Sequence, residues 1–208
     1  MKNSTSLKSI VLALFLVIVF GVQKSFGQFV LRDNHVTIGN GVITDYLLGY
    51  SYSRQDIQIP STLQGQTVIG LADATSGVGG IFYREMLTTI RFPHTIEYLG
   101  DYSIYDSYVD NLIFTNCTTL NRIGKYAAYS MDLKATGLQN CTALQTIGQY
   151  AFAGNRHMTS VNLLGCSALG NIEPYAFYNN TNTTSVDLTN CSSLEIINMF
   201  FMTIISLH

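Results

Sequence analysis

The 208-residue chain contains no tryptophan and only three prolines, and charged residues make up just 12% of it. Eleven Lys and Arg against thirteen Asp and Glu leave a formal net charge of −2, and the basic residues are scattered. That excludes a nucleic-acid partner, because phosphate backbones are held by a basic patch or stripe. The chain has no H-E-x-x-H and no G-x-S-x-G, so neither a metalloprotease helix nor a nucleophile elbow is available. The glycine-rich Gly77-Val78-Gly79-Gly80 lacks the Gly-Lys-Ser/Thr ending that gives a phosphate cradle its lysine and hydroxyl. His35, His94, His157 and His208 fall in separate segments. The chain therefore reads as neither an enzyme nor a cofactor carrier.

Long apolar runs are also scarce. The one that exists lies near the start, where Lys2 and Lys8 precede thirteen residues from Ile10 to Val22, and Ser25-Phe26-Gly27 follows as a small-x-small site. These are the three parts of a secretory signal peptide, and the run is shorter than the ~20 residues that span a bilayer. The expectation is that residues 1–27 are removed on export. The mature chain is then secreted or held at the cell surface, with no membrane span after cleavage.

What the sequence does have is a period. Cys117, Cys141, Cys166 and Cys191 recur at intervals of 24, 25 and 25 residues, each at the same place in an apolar pattern. Met158, Val161, Leu163, Cys166, Leu169, Ile172, Tyr175, Ala176 and Phe177 fill L-x-x-V-x-L-x-x-C-x-x-L-x-x-I-x-x-Y-A-F, and Leu133, Thr136, Leu138, Cys141, Leu144, Ile147, Tyr150, Ala151 and Phe152 fill the same slots one coil earlier. Repeats of this length cannot bury their own apolar side and must stack on neighbours. The fold class expected is α/β: a solenoid with one short parallel strand per coil, helical or 3₁₀ turns on the opposite side, and a short N-terminal β cap.

Residues 87–208 read as five such repeats. The first is a proline variant (Leu87, Ile90, Phe92, Pro93, Ile96), and the last runs from Thr183 through Cys191 to Phe200, Phe201 and Met202. Residues 28–72 read as an N-terminal β hairpin around Gly39-Asn40-Gly41 followed by a degenerate capping repeat, and 73–86 as a flexible glycine-rich insertion. Ile204, Ile205 and Leu207 stand where a further coil would begin, so a C-terminal cap is missing from the pattern. Solenoid ends need a polar cover, which makes end-to-end self-association, or a structural solenoid fragment without a dedicated ligand, the alternative reading.

Three columns of side chains are candidates for chemistry. The cysteines lie in a row one coil apart rather than converging on a point, so they read as buried free thiols and not as a metal site; disulfides between coils remain an option in an oxidising compartment. Tyr102, Tyr126, Tyr150 and Tyr175 sit beside Ala and Phe and read as core packing in preference to a carbohydrate-stacking stripe. The outward strand residues Thr89, Arg91, Asn111, Ile113, Ser160, Asn162, Ser185 and Asp187 form a mixed, nearly uncharged face. Such a face suits a broad protein contact better than a small-molecule pocket.

The string from Cys141 to Phe152, mixed with the Pro93-type coil and the entry Gly41-Val42-Ile43-Thr44-Asp45-Tyr46, resembles the BspA-like leucine-rich repeats over about residues 41–202. That resemblance implies a secreted or cell-surface, non-enzymatic, adhesion-type module that binds a host or cell-surface protein.

Overall fold

The computed structural model describes residues 28–48, 55–76, 79–114 and 116–197. The expected leader, the aromatic end of the last repeat and the segment Ile204 to Leu207, where a cap was expected to be missing, lie outside these residues. Within them the chain winds as a β-solenoid, and each coil contributes to two parallel ladders. The first ladder holds the V-x-L segments: Phe29–Val30, Gln55–Gln58, Met86–Arg91 and Tyr108–Ile113 pair in that order as one sheet, and Ser160–Asn162 pairs with Ser185–Asp187 as another. Equivalent slots of the repeat pair across the coils, with Val161 opposite Val186 and Leu112 opposite Ile90. The inward residues of each strand, such as Val161 and Leu163, are buried while Asn162 between them is not, as alternation across a strand requires.

The second ladder is built from the isoleucine slot. Gly70–Leu71, Tyr98–Leu99, Arg122–Ile123, Thr146–Ile147, Asn171–Ile172 and Ile196–Ile197 stack in parallel. At the N-terminal end the antiparallel hairpin Val36–Gly39/Val42–Tyr46 continues the same sheet. One continuous apolar core runs between the ladders, from Leu31 and Ile43 to Ile172 and Phe177.

The wall carrying Tyr-Ala-Phe is not helical; the described residues contain a single 3₁₀ turn, at Asp33–His35. The reason lies in where its amides go. Tyr102 N, Ile104 N and Asp106 N each donate to the next coil, to Lys125 O, Ala127 O and Tyr129 O, while Ser103 N and Tyr105 N, the amides between them, close turns on Gly100 O and Tyr102 O. Tyr102 and Asp106 also have left-handed φ of 57° and 55°, which no right-handed helix accommodates. Solenoid stacking has taken the hydrogen bonds a helix would need.

The stretch expected as a flexible insertion is part of this wall. Gly80 N donates to Tyr105 O, Ile81 N to Ser103 O and Arg84 N to Asp106 O, and Phe82 is fully buried. Its Ile-Phe pair occupies the place that aromatic and alanine residues fill in later coils; the glycine composition obscured that match. Gly77 and Val78 lie outside the described residues.

Candidate binding surface

The strand face carries the outward residues expected from the sequence, with one correction. Thr89 is buried at 5% exposure and presents no usable surface. The pairing register of Gln55–Gln58 with Met86–Arg91 shifts between Gln55 and Asp56, opposite this residue, a bulge-type irregularity that re-aims side chains. Arg91, Asn111, Ile113, Ser160 and Asn162 are half-buried, Asp187 is half-buried and Ser185 is exposed. Arg91 leans on Asp56 at 3.6 Å. Asn162 Oδ1 and Asp187 Oδ1 accept from the amides of Leu164 and Thr189 at 3.1 and 2.9 Å. They close the turn that leaves each strand, and the Thr189 hydroxyl and amide hold the Asp187 carboxyl below its ordinary pKa.

The face is also broken in the middle, which the period conceals. In the second cysteine-type frame, that of Cys141, the valine slot holds Thr136, fully buried, whose hydroxyl donates to Asn162 O at 2.9 Å and accepts from Asn162 N at 3.1 Å. Gly137 follows with φ 68°. The segment forms no strand; a single bridge, Ala135 to Ser160, joins it to the next coil. A side chain has replaced part of a backbone ladder, and the four-stranded and two-stranded sheets part here.

A cleft of about 290 Å³ opens at this break, lined by Ile113, Asn116, Thr118, Gly137, Gln139 and Asn140. A second depression of about 540 Å³ lies against it, lined by Gln58, Ser61, Arg91, His94 and the shared Asn116. Together they make a groove rich in amides and hydroxyls beside the stacked rings of Phe92 and Phe114, whose centroids are 4.6 Å apart.

The cysteines turn the corner below this groove. All four are free thiols, and Cys117, Cys141 and Cys166 are buried. Cys117, Cys166 and Cys191 each donate Sγ–H to a carbonyl of the coil before, on Pro93, Leu138 and Leu163 at 3.3, 3.1 and 3.1 Å. They fill a narrow apolar corner and satisfy a carbonyl there. Burial pushes Cys117 and Cys166 up to about 12 and 11, and pushes Cys141 and, less buried, Cys191 in the same direction. Thiolates are the reactive form, so iodoacetamide at pH 8 is expected to modify half-buried Cys191 first and to leave the other three intact until the protein unfolds. Raised folded-state values mean that the thiols stabilise fully below the unfolded value of ~8.5. That stability is lost as pH rises from there towards 11 to 12, and a melting series across this window checks it. No group of three His, Cys, Asp or Glu able to hold a metal occurs among the described residues.

The tyrosines sit differently from the expectation of core packing. Ala127, Ala151, Phe152 and Phe177 are buried, but Tyr102, Tyr126, Tyr150 and Tyr175 are half-buried at the surface. Their rings stack in a ladder with centroids 4.9, 4.8 and 4.8 Å apart and planes within 12°. A second row missed by sequence reasoning, Tyr105, Tyr129 and Tyr178, stands three residues on, inclined to the first row by 64°, 62° and 90°. Counting three residues beyond each repeated tyrosine would have found it.

Comparison with known proteins follows the geometry. The family model described as the BspA type leucine rich repeat region matches residues 79–208 in six copies. A search of curated proteins finds no match. Among solved structures the chain is similar to a leucine rich repeat protein of T. pallidum, at 21% identity and TM-score 0.47, over 75% of this chain and 70% of that one. It is also similar to a leucine rich cell surface protein of Faecalibacterium prausnitzii, at 16% identity and TM-score 0.33 over 80% of this chain. A leucine-rich repeat protein of Bacteroides ovatus matches at 18% identity and TM-score 0.30 over 79% of this chain. The chain spans 51% of the length of each of the last two. No described helix is long and apolar enough to cross a membrane.

Proposed function

We propose, from the premise that the chain belongs to the BspA type leucine rich repeat family, that it is an exported, non-catalytic module of the secreted or surface-held kind that grips a protein partner on its strand face. The observation that carries this reading is the groove formed where the face breaks, with the cleft at Gly137 and the depression at Arg91 sharing Asn116. Repeat arrays bind through extended surfaces, and this one offers amide and hydroxyl groups with little charge. Asn and Gln side chains both donate and accept, which suits the backbone of a partner segment laid across the coils. Adhesion to a host or neighbouring-cell protein is the role proposed for that contact.

The test is cross-linking of the mature protein in its native setting, repeated with Arg91→Glu, Asn162→Arg and Asp187→Arg. A contact residue that matters costs more than ~1 kcal/mol, roughly fivefold in affinity, so each variant is expected to lose most of the captured protein. Arg91→Glu is expected to melt close to the parent, and Asn162→Arg and Asp187→Arg somewhat lower, because each removes a turn-closing acceptor. Undiminished capture by all three removes this face as the site.

A further inference from the structure

Two columns on the tyrosine wall share one backbone requirement and answer it differently. Asp106, Ser130, Gly154 and Asn179 all have positive φ, and so do Tyr102, Tyr126, Tyr150 and Tyr175, at 57°, 53°, 55° and 64°. The first column uses small, polar or side-chain-free residues, which the left-handed region tolerates. The second uses tyrosine in all four coils, against that preference. Left-handed φ costs a bulky residue about 1–2 kcal/mol, and a stacked pair returns ~0.5–1.5, so stacking offsets the strain without explaining the hydroxyls. Phenylalanine would stack equally well.

The wall is nearly uncharged along its C-terminal half. Between Tyr126 and Asn179 the turn positions at the surface include Tyr129, Ser130, Gln149, Tyr150, Gly154, Tyr175 and Tyr178, and one carboxylate, Glu173, accepts from Gln149 N beside them. Asp132, Arg156 and His157 follow where the turns end, and Lys125, at one margin, lies over the Tyr126 ring at 5.5 Å. Burial and the neighbouring phenols raise Tyr126 and Tyr150 above their ordinary value, so their hydroxyls stay protonated donors. The outer row is interrupted at buried Ala153, and Tyr178, 41% exposed, has no ring stacked on it from the coil before. Tyr129 likewise stacks on Tyr105 alone in its row. Each of the two therefore presents a ring face that the inner ladder hides.

We infer that this wall is a binding site for an extended, neutral polysaccharide lying along the solenoid axis. A pyranose has an apolar C–H face that packs on an aromatic ring and equatorial hydroxyls that pair with phenols. A β-linked chain advances by close to one coil per sugar, so a periodic wall meets a periodic polymer. The match in charge is part of the argument: Lys125 is the one cation held over a ring of these two rows among the described residues, and the Glu173 carboxylate beside Tyr175 disfavours an acidic polymer. This site is separate from the strand face and does not depend on the protein-binding reading.

The test is affinity electrophoresis of the mature chain through gels containing hydroxyethyl cellulose, with polygalacturonate as the acidic counterpart, and titration with cellohexaose. Retardation in the neutral gel is expected, with none in the acidic one. Tyr129→Ala and Tyr178→Ala are each expected to weaken cellohexaose binding roughly two- to twelvefold, with partner capture by the strand face unchanged. Tyr178→Phe, which keeps the ring and so the fold, is expected to lose less than Tyr178→Ala. Free migration of the folded parent chain in the neutral gel, equal retardation by polygalacturonate, or full binding by both alanine variants overturns the proposal. The first of these outcomes would point to a protein as the occupant of the wall.

Discussion

Asn155→Leu is expected to be among the most damaging single changes in this protein, lowering the melting midpoint by about 8–16 °C, since ~1 kcal/mol shifts a domain of this size by 2–4 °C and at least ~4 kcal/mol is at stake. Asn155 is fully buried. Its Nδ2 donates to Ala128 O and Phe152 O at 2.9 and 2.8 Å, and its Oδ1 accepts from Met131 N and Leu133 N at 3.2 and 3.3 Å. Leucine shares the branching but is bulkier and has no hydrogen-bonding atom, so it leaves Ala128 O, Met131 N and Leu133 N of the preceding coil buried without a partner, each costing about 1–3 kcal/mol. Phe152 O keeps the bond from Asn180, and overpacking adds about 1–3 kcal/mol. Relaxation and water entry reduce the sum, which is why the estimate sits at its lower end. The neighbouring Met131→Leu, in the same column one coil earlier, is the control. Its side chain only fills space, and a volume-conserving swap there costs under ~1.5 kcal/mol. Calorimetric scans of the two variants check the contrast; equal midpoints would mean that the asparagine is replaceable packing.

That column shows where the sequence was legible and where it was not. The inward strand residues, the cysteine corner and the isoleucine slot were readable as core because an apolar residue recurring at a fixed interval has one physical cause, a shared core, but one strand per coil was expected and the isoleucine slot forms a second. Position by position, Ser107, Met131, Asn155 and Asn180 also share a slot, but their chemistry differs, so no apolar pattern marks it. All the same they are buried and bonded: Ser107 donates to Phe82 O and Ile104 O, and Asn180 Oδ1 accepts from Asn155 N while its Nδ2 donates to Phe152 O. Except for Met131, whose coil is served by Asn155, these side chains cap the end of the tyrosine turn, where backbone groups leave the ladder and a buried polar group satisfies them. Reading polarity as exposure hides such a slot.

The candidate site divides in the same way. Arg91, Ile113 and Asn162 were placed on the outer face by alternation alone, and that is where they stand. Thr89 is buried where its strand takes two steps, Leu87 to Thr89, against one in the partner, Gln55 to Asp56, and no simple alternation encodes that slip. The tyrosines lie beside buried Ala and Phe in sequence, which suggested core, but left-handed φ at each one turns its ring to the surface. Neighbours in sequence share an environment only when the backbone between them is regular.

Gly137→Ala is expected to be the second large effect and to touch stability and partner capture together. At φ 68° an L side chain is strained by about 1–2 kcal/mol. A Cβ here would also stand against Leu112 O, a backbone atom of the four-stranded sheet that no rotamer change can move. The coil must therefore shift away from its neighbour, widening the gap between the two sheets. The combined cost is at least ~3 kcal/mol, a fall of roughly 6–12 °C in melting midpoint. Gly165→Ala is the discriminating comparison. Its φ of 76° carries the same strain, but the atom its Cβ would meet is Asn140 Oδ1, the end of a side chain that can rotate aside. It is expected to lose only the strain term, about 1–2 kcal/mol. At a temperature where both variants are folded, Gly137→Ala should also capture less partner, because the cleft lined by Ile113, Asn116 and Gln139 is reshaped, whereas Gly165→Ala, which touches the cleft only through rotation of the Asn140 side chain, should reduce capture less. Equal melting of the two variants would show that the coil yields without opening the sheets, and the break at Thr136 and Gly137 would then be a passive irregularity and not the feature that shapes the groove.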